Sequence, residues 1–121
     1  MAVCRWFSLV LIILCSCGKP LPELAGFNKA LWIKDKNACM GNRTDMLASL
    51  QEEKDKLLAL TEMQVVEVLG KPDQHELYKR NQKFYHYFLT PAPSCKISDT
   101  PSRILTLRFN AMGLVKEVSL N

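Results

Sequence analysis

The segment Leu60-Thr61-Glu62-Met63-Gln64-Val65-Val66-Glu67-Val68-Leu69-Gly70-Lys71-Pro72 spells out a short helix with both ends specified. Thr61 is placed to cap the first free amides. Gln64, three residues on, can reach back to the amide of the cap, which completes a capping box. Leu60 before the cap and Val65 after it are spaced as a hydrophobic staple. Gly70 supplies a left-handed residue beyond the last turn, and Pro72 prevents continuation. Val65, Val66, Val68 and Leu69 are all apolar and three are β-branched. That composition suits a helix pressed onto a sheet better than one facing water.

The sheet is expected after Pro72. Residues 75–79 form a first strand and 80–82 a turn. Lys83 to Leu89 is the most strand-like stretch, aromatic at Phe84, Tyr85, Tyr87 and Phe88. Alternation places Tyr85, Tyr87 and Leu89 on one face and Phe84, His86 and Phe88 on the other. Thr90 to Ser102 holds three prolines and Cys95 and is a loop. The next strand turns Leu105, Leu107 and Phe109 to the core and Ile104, Thr106 and Arg108 away from it. Asn110 to Gly113 makes a hairpin turn to a closing strand, Leu114 to Leu120.

Upstream of the capping box, Asn42 is a cap for a helix with Leu47, Leu50, Lys54 and Leu57 on one stripe, widened by Met46 and Leu58. Glu52 and Lys56 form an i,i+4 pair on its wet side, and the charge cluster from Gln51 to Lys56 is a solvated face. An earlier helix, Phe27 to Asp35, places Phe27, Ala30, Leu31 and Lys34 on one face and sends Trp32 or Ile33 sideways. The fold class is therefore α+β: two to three N-terminal helices packed on one face of a three- to four-stranded antiparallel sheet.

A chain of 121 residues that is 48% hydrophobic suits one domain plus an export segment. Arg5 followed by the apolar run Trp6 to Leu14 is too short for comfortable spanning and has the character of a signal peptide. It ends in Leu14-Cys15-Ser16-Cys17, which resembles a bacterial lipobox. Residues 1–16 are then the signal peptide, Cys17 the lipidated N-terminus, 17–26 a linker and 27–121 the domain. An ordinary secretory signal is the alternative. Gly18, in place of an aspartate, favours an outer-membrane anchor facing the periplasm. Without Arg5, fifteen basic residues face twelve acidic ones, spread without runs. That mild excess argues weakly for anionic headgroups and against nucleic acid.

Cys39 and Cys95 remain in the body, and in an oxidising compartment an even pair reads as a disulfide. A metal site or a reactive thiol lacks support, because no second ligand stands at metal spacing from either cysteine. His75 and His86 sit on separate strands without a nucleophile or orienting group beside them. No paired carboxylates and no glycine-rich phosphate loop occur, so neither catalysis, a cofactor, a metal nor a small-molecule substrate is indicated. Asn42-Arg43-Thr44 fits a glycosylation sequon, but beside a bacterial lipobox the helix cap is the favoured reading.

Taken together, Leu60-Thr61, Val65, Leu69-Gly70-Lys71-Pro72-Asp73, the strand through Tyr85 and Tyr87, and Leu105-x-Leu107-x-Phe109 with the Gly113 hairpin resemble the SmpA/OmlA (BamE-like) domain of small outer-membrane lipoproteins. The resemblance covers roughly residues 43 to 121. The cysteine pair, the helix with Trp32 and the proline-rich loop are additions to that pattern. The resemblance implies a non-enzymatic accessory of outer-membrane β-barrel assembly that works by protein contact. The alternative is a periplasmic inhibitor or binding module, as in the β-lactamase inhibitors that share this layered fold, with residues 90–102 as its inserted loop. The expected contact surface is the sheet face away from the helices: Phe84, His86 and Phe88 beside Ile104, Thr106 and Arg108, unless residues 29–32 fold over it.

Overall fold

A computed structural model describes residues 20–95 and 101–121; the expected signal peptide and Cys17 lie outside the described residues. Among the described residues four α-helices precede four strands: α1 Lys29–Lys34, α2 Asn42–Asp45, α3 Leu47–Glu53, α4 Glu62–Leu69, then β1 Gln74–Tyr78, β2 Gln82–Phe88, β3 Ile104–Phe109 and β4 Val115–Leu120. The strands form one antiparallel sheet in the order β1-β2-β3-β4. The α+β class is as the sequence indicates. No helix among the described residues is long and apolar enough to cross a membrane.

The capping box on α4 is complete. Gln64 N donates to Thr61 Oγ1 at 3.2 Å, and Thr61 N donates to Gln64 Oε1 at 2.9 Å. Leu60 and Val65, the staple pair, are both fully buried. Gly70 ends the helix at φ +77, and a Cβ there would stand 2.9 Å from Ile33 Cγ1, so conformation and crowding both require glycine. Its carbonyl is not wasted, since Tyr87 Oη donates to Gly70 O at 2.8 Å.

Three readings of the helical half need correction. Trp32 is the buried residue of α1, whereas Ala30 and Leu31 are exposed. The indole finds a partner inside, Nε1 donating to Leu69 O at 2.8 Å, and that bond fixes the face of a helix too short to impose its own periodicity. Asn42 caps nothing: Gly41 occupies the cap position at φ +85 and Asn42 is already helical. The single helix expected from Asn42 onward breaks at Met46 and tightens into a 3₁₀ turn, Lys54–Leu57. Lys56 pairs there with Glu53.

Trp32, Met46, Leu50, Leu57, Leu60, Val65 and Leu69 meet Tyr87, Leu89, Leu105, Leu107 and Phe109 in one core between the layers. Val66, expected in that core, is only partly buried. The core covers the inner side of β2 and β3 and stops short of β1, all five of whose residues are exposed.

At one corner a buried Arg43 ties the layers together. Its Nε donates to Trp32 O at 3.0 Å, and its Nη1 donates to Asp73 Oδ2 at 2.5 Å and to Phe88 O at 3.2 Å. The guanidinium stands 4.5 Å from the Trp32 ring centroid, a cation–π contact. Asp73 also accepts from Asn37 N and Phe88 N, and Asp35 accepts from Met40 N and Arg43 N. The Cys39–Cys95 disulfide closes beside this network, with Cα atoms 5.5 Å apart.

Candidate functional site: the open face of the sheet

Even-numbered residues of β1, β2 and β3 share the face turned away from the helices, as the registers Glu76↔Phe84↔Arg108 and Gln74↔His86↔Thr106 require. No helix among the described residues covers the middle of this face. Tyr78 meets Phe84 edge-on at 5.6 Å between centroids, and Phe84 stacks on His86 at 6.1 Å with an interplanar angle of 6°. A half-exposed aromatic strip therefore runs obliquely from β1 onto β2.

Polar side chains frame the strip. His86 Nδ1 lies 3.1 Å from Thr106 Oγ1, and its Nε2 lies 3.3 Å from Glu76 Oε1 without hydrogen-bond geometry. Arg108 Nε donates to Glu117 Oε2 at 3.2 Å, and Nη1 reaches Gln82 Oε1 at 3.4 Å. The charges on this face are thus largely paired, and the unpaired character is aromatic.

Of the six residues predicted for this surface, Phe84, His86, Thr106 and Arg108 are brought together and half-exposed. Phe88 is not available. It is 5% exposed, buried with Ala38 and Ala92, with Cys95 and Ile104 packed against the cluster. Residues 29–32 are not the cover, since Trp32 belongs to the opposite layer. The chain after β2 crosses over the end of the face instead. Ala92 N donates to Asn37 O at 3.0 Å, and the disulfide pins Cys95 beside Ala38. Tyr78 and Glu76 lie within the first strand the sequence indicates, but the face they share with Phe84 and His86 is set only by the pairing of that strand with β2.

On the helix side, Glu62 Oε1 accepts from Tyr85 Oη at 3.0 Å and from Lys83 Nζ at 3.1 Å. Burial, then this hydrogen bond and the carboxylate charge, push the Tyr85 phenol up to about 12. Burial holds the Tyr87 phenol further above its ordinary range. Neither phenol is activated as a nucleophile or base at neutral pH. No group of three or more His, Cys, Asp or Glu side chains is placed to hold a metal among the described residues.

The geometry defines a two-layer α+β domain with an aromatic-striped, uncovered sheet face. Comparison with protein-family models, with curated proteins and with solved structures finds no match.

Proposed function

We propose that this chain is a lipid-anchored, non-enzymatic protein of the bacterial outer membrane that serves β-barrel protein assembly by binding another protein through its open sheet face. The observation that carries the reading is the Tyr78–Phe84–His86 strip, a half-exposed row of rings on an otherwise paired surface. Aromatic side chains at the centre of a polar frame are the composition of binding hot spots. The lipobox ending at Cys17 and the SmpA/OmlA-like pattern from Leu60 to Phe109 support the membrane and the assembly parts of the proposal. The inhibitor reading is less well supported, since residues 91–95 are engaged in covering Phe88.

The test is recovery of barrel-assembly proteins with the full chain after mild cross-linking and detergent extraction. Phe84→Ala with Arg108→Ala should leave stability nearly unchanged, as surface substitutions do, and abolish recovery. Phe88→Ala should instead cost about 3–5 kcal/mol, as a core truncation. Undiminished recovery with the Phe84/Arg108 variant would overturn the assignment of this face. Labelling of Cys17→Ser by a fatty-acid probe would remove the anchor from the proposal.

A further inference from the structure

The two edges of the sheet are protected very differently. β4 carries Lys116, and its pairing with β3 is broken by an irregularity between Arg108 and Phe109. Its first residue is closed off by backbone: Ala59 N donates to Val115 O and Val115 N to Leu60 O, each at 2.9 Å. Lysines, bulges and covering segments are the usual means of blocking edge-to-edge pairing. Among the described residues, β1 has none of them. Its five residues hold an unbroken register with β2, contain no lysine, proline or glycine, and are all exposed.

From this contrast we infer that β1 is a docking edge for an extended, acidic segment of a partner polypeptide, which adds to the sheet as a fifth strand. The outward N–H and C=O groups of alternate β1 residues provide the main-chain bonds, and the flanking surfaces provide places for alternate side chains. On the helix side, Leu77, which is 76% exposed, borders a groove lined by Val66, Pro72 and Tyr85. On the other side, Tyr78 stands at the head of the aromatic strip. Apolar side chains of an added strand would enter both.

Charge selects the partner. Lys71 before β1 and Lys79 and Arg80 after it are exposed and make no ion pair with any described residue. Within β1 the single acid, Glu76, leans on His86. An incoming segment therefore meets cations at both ends and is favoured by aspartate or glutamate there. A second copy of β1 is a poor occupant. Antiparallel self-pairing centred on Glu76 sets two carboxylates opposite each other, and pairing centred on Leu77 leaves Lys79 with no acid opposite it. The inference shares with the proposed function only that the partner is a polypeptide. It holds or fails independently of the anchor and of barrel assembly.

The experiment is amide hydrogen exchange on the full chain in detergent, with a short synthetic peptide of alternating valine and threonine flanked by aspartates. Outward amides within residues 74–78 should exchange more slowly by about tenfold or more when the peptide is present at millimolar concentration. A lysine-flanked peptide should give no protection. Leu77→Asp, at a position that bears no core contact, should abolish the effect, whereas Phe84→Ala should preserve it. Lys79→Glu with Arg80→Glu should reverse the preference toward the lysine-flanked peptide. No gain in protection at β1 would overturn the proposal. So would an effect lost in Phe84→Ala and kept in Leu77→Asp, which would place the peptide on the open face. Concentration-dependent dimers with β1 already protected would assign the edge to a second copy, and would also overturn it.

Discussion

Asp73→Ala should be among the most damaging single changes in this domain, and the size of its effect follows from what surrounds the carboxylate. The Asp73 and Arg43 side chains are 1% and 2% exposed, so water cannot replace either partner of the pair. Removing the carboxylate leaves a buried guanidinium with only two carbonyls, Trp32 O and Phe88 O, to accept from it. It also strips the amides of Asn37 and Phe88 of their acceptor, at 3.1 and 2.8 Å. Breaking a buried pair by deleting one member costs about 3–5 kcal/mol, and most domains hold only about 5–15 kcal/mol in total. At about 4–8 °C per kcal/mol for a domain of this size, the melting temperature should fall by on the order of 20 °C. Urea denaturation checks it, the midpoint shifting at constant m-value. Arg43→Met added to Asp73→Ala should recover part of the loss, because the orphaned charge leaves with it. A loss below about 1 kcal/mol for Asp73→Ala, or a double variant as unstable as the two single losses added together, would refute the claim that this pair fastens the layers.

Two further outcomes follow from the disulfide and from Glu62. Reduction of Cys39–Cys95, which spans 56 positions, should cost about 4 kcal/mol if it acts by constraining the unfolded chain. Dye binding should rise before the sheet melts as residues 91–95 lift from Phe88, and an unchanged urea midpoint would refute a stabilising role. In tyrosinate absorbance titrations, Tyr85 should ionise near pH 12, and Glu62→Gln should lower that value while burial keeps it above the ordinary 10. Because the phenol pKa is raised in the folded chain, the unfolded chain releases its proton first. Stability should be indifferent to Tyr85 below pH 10 and fall between about 10 and 12. A Tyr85 midpoint unmoved by Glu62→Gln would refute the contact.

The sequence by itself determined the parts of this protein whose causes are local. The capping box of Thr61 and Gln64, the stop at Gly70 and the alternation of Tyr85, Tyr87, Leu105, Leu107 and Phe109 each rest on residues a few positions apart, so the chain states them directly. Those signals give the α+β class and the two faces of the sheet. Tertiary structure alone decided the rest. Trp32 turns inward because Leu69 O, 37 positions away, accepts its indole proton. Arg43 is buried because Asp73 and the carbonyl of Phe88 meet it there, 30 and 45 positions on. Phe88 leaves the open face because the chain beyond β2 crosses over it and is fastened by Cys39. The exposed edge of β1 has the same kind of origin: the core between the layers includes no residue of β1, and which strand is left bare depends on how all the elements pack, a sum over long-range contacts that no local stretch encodes.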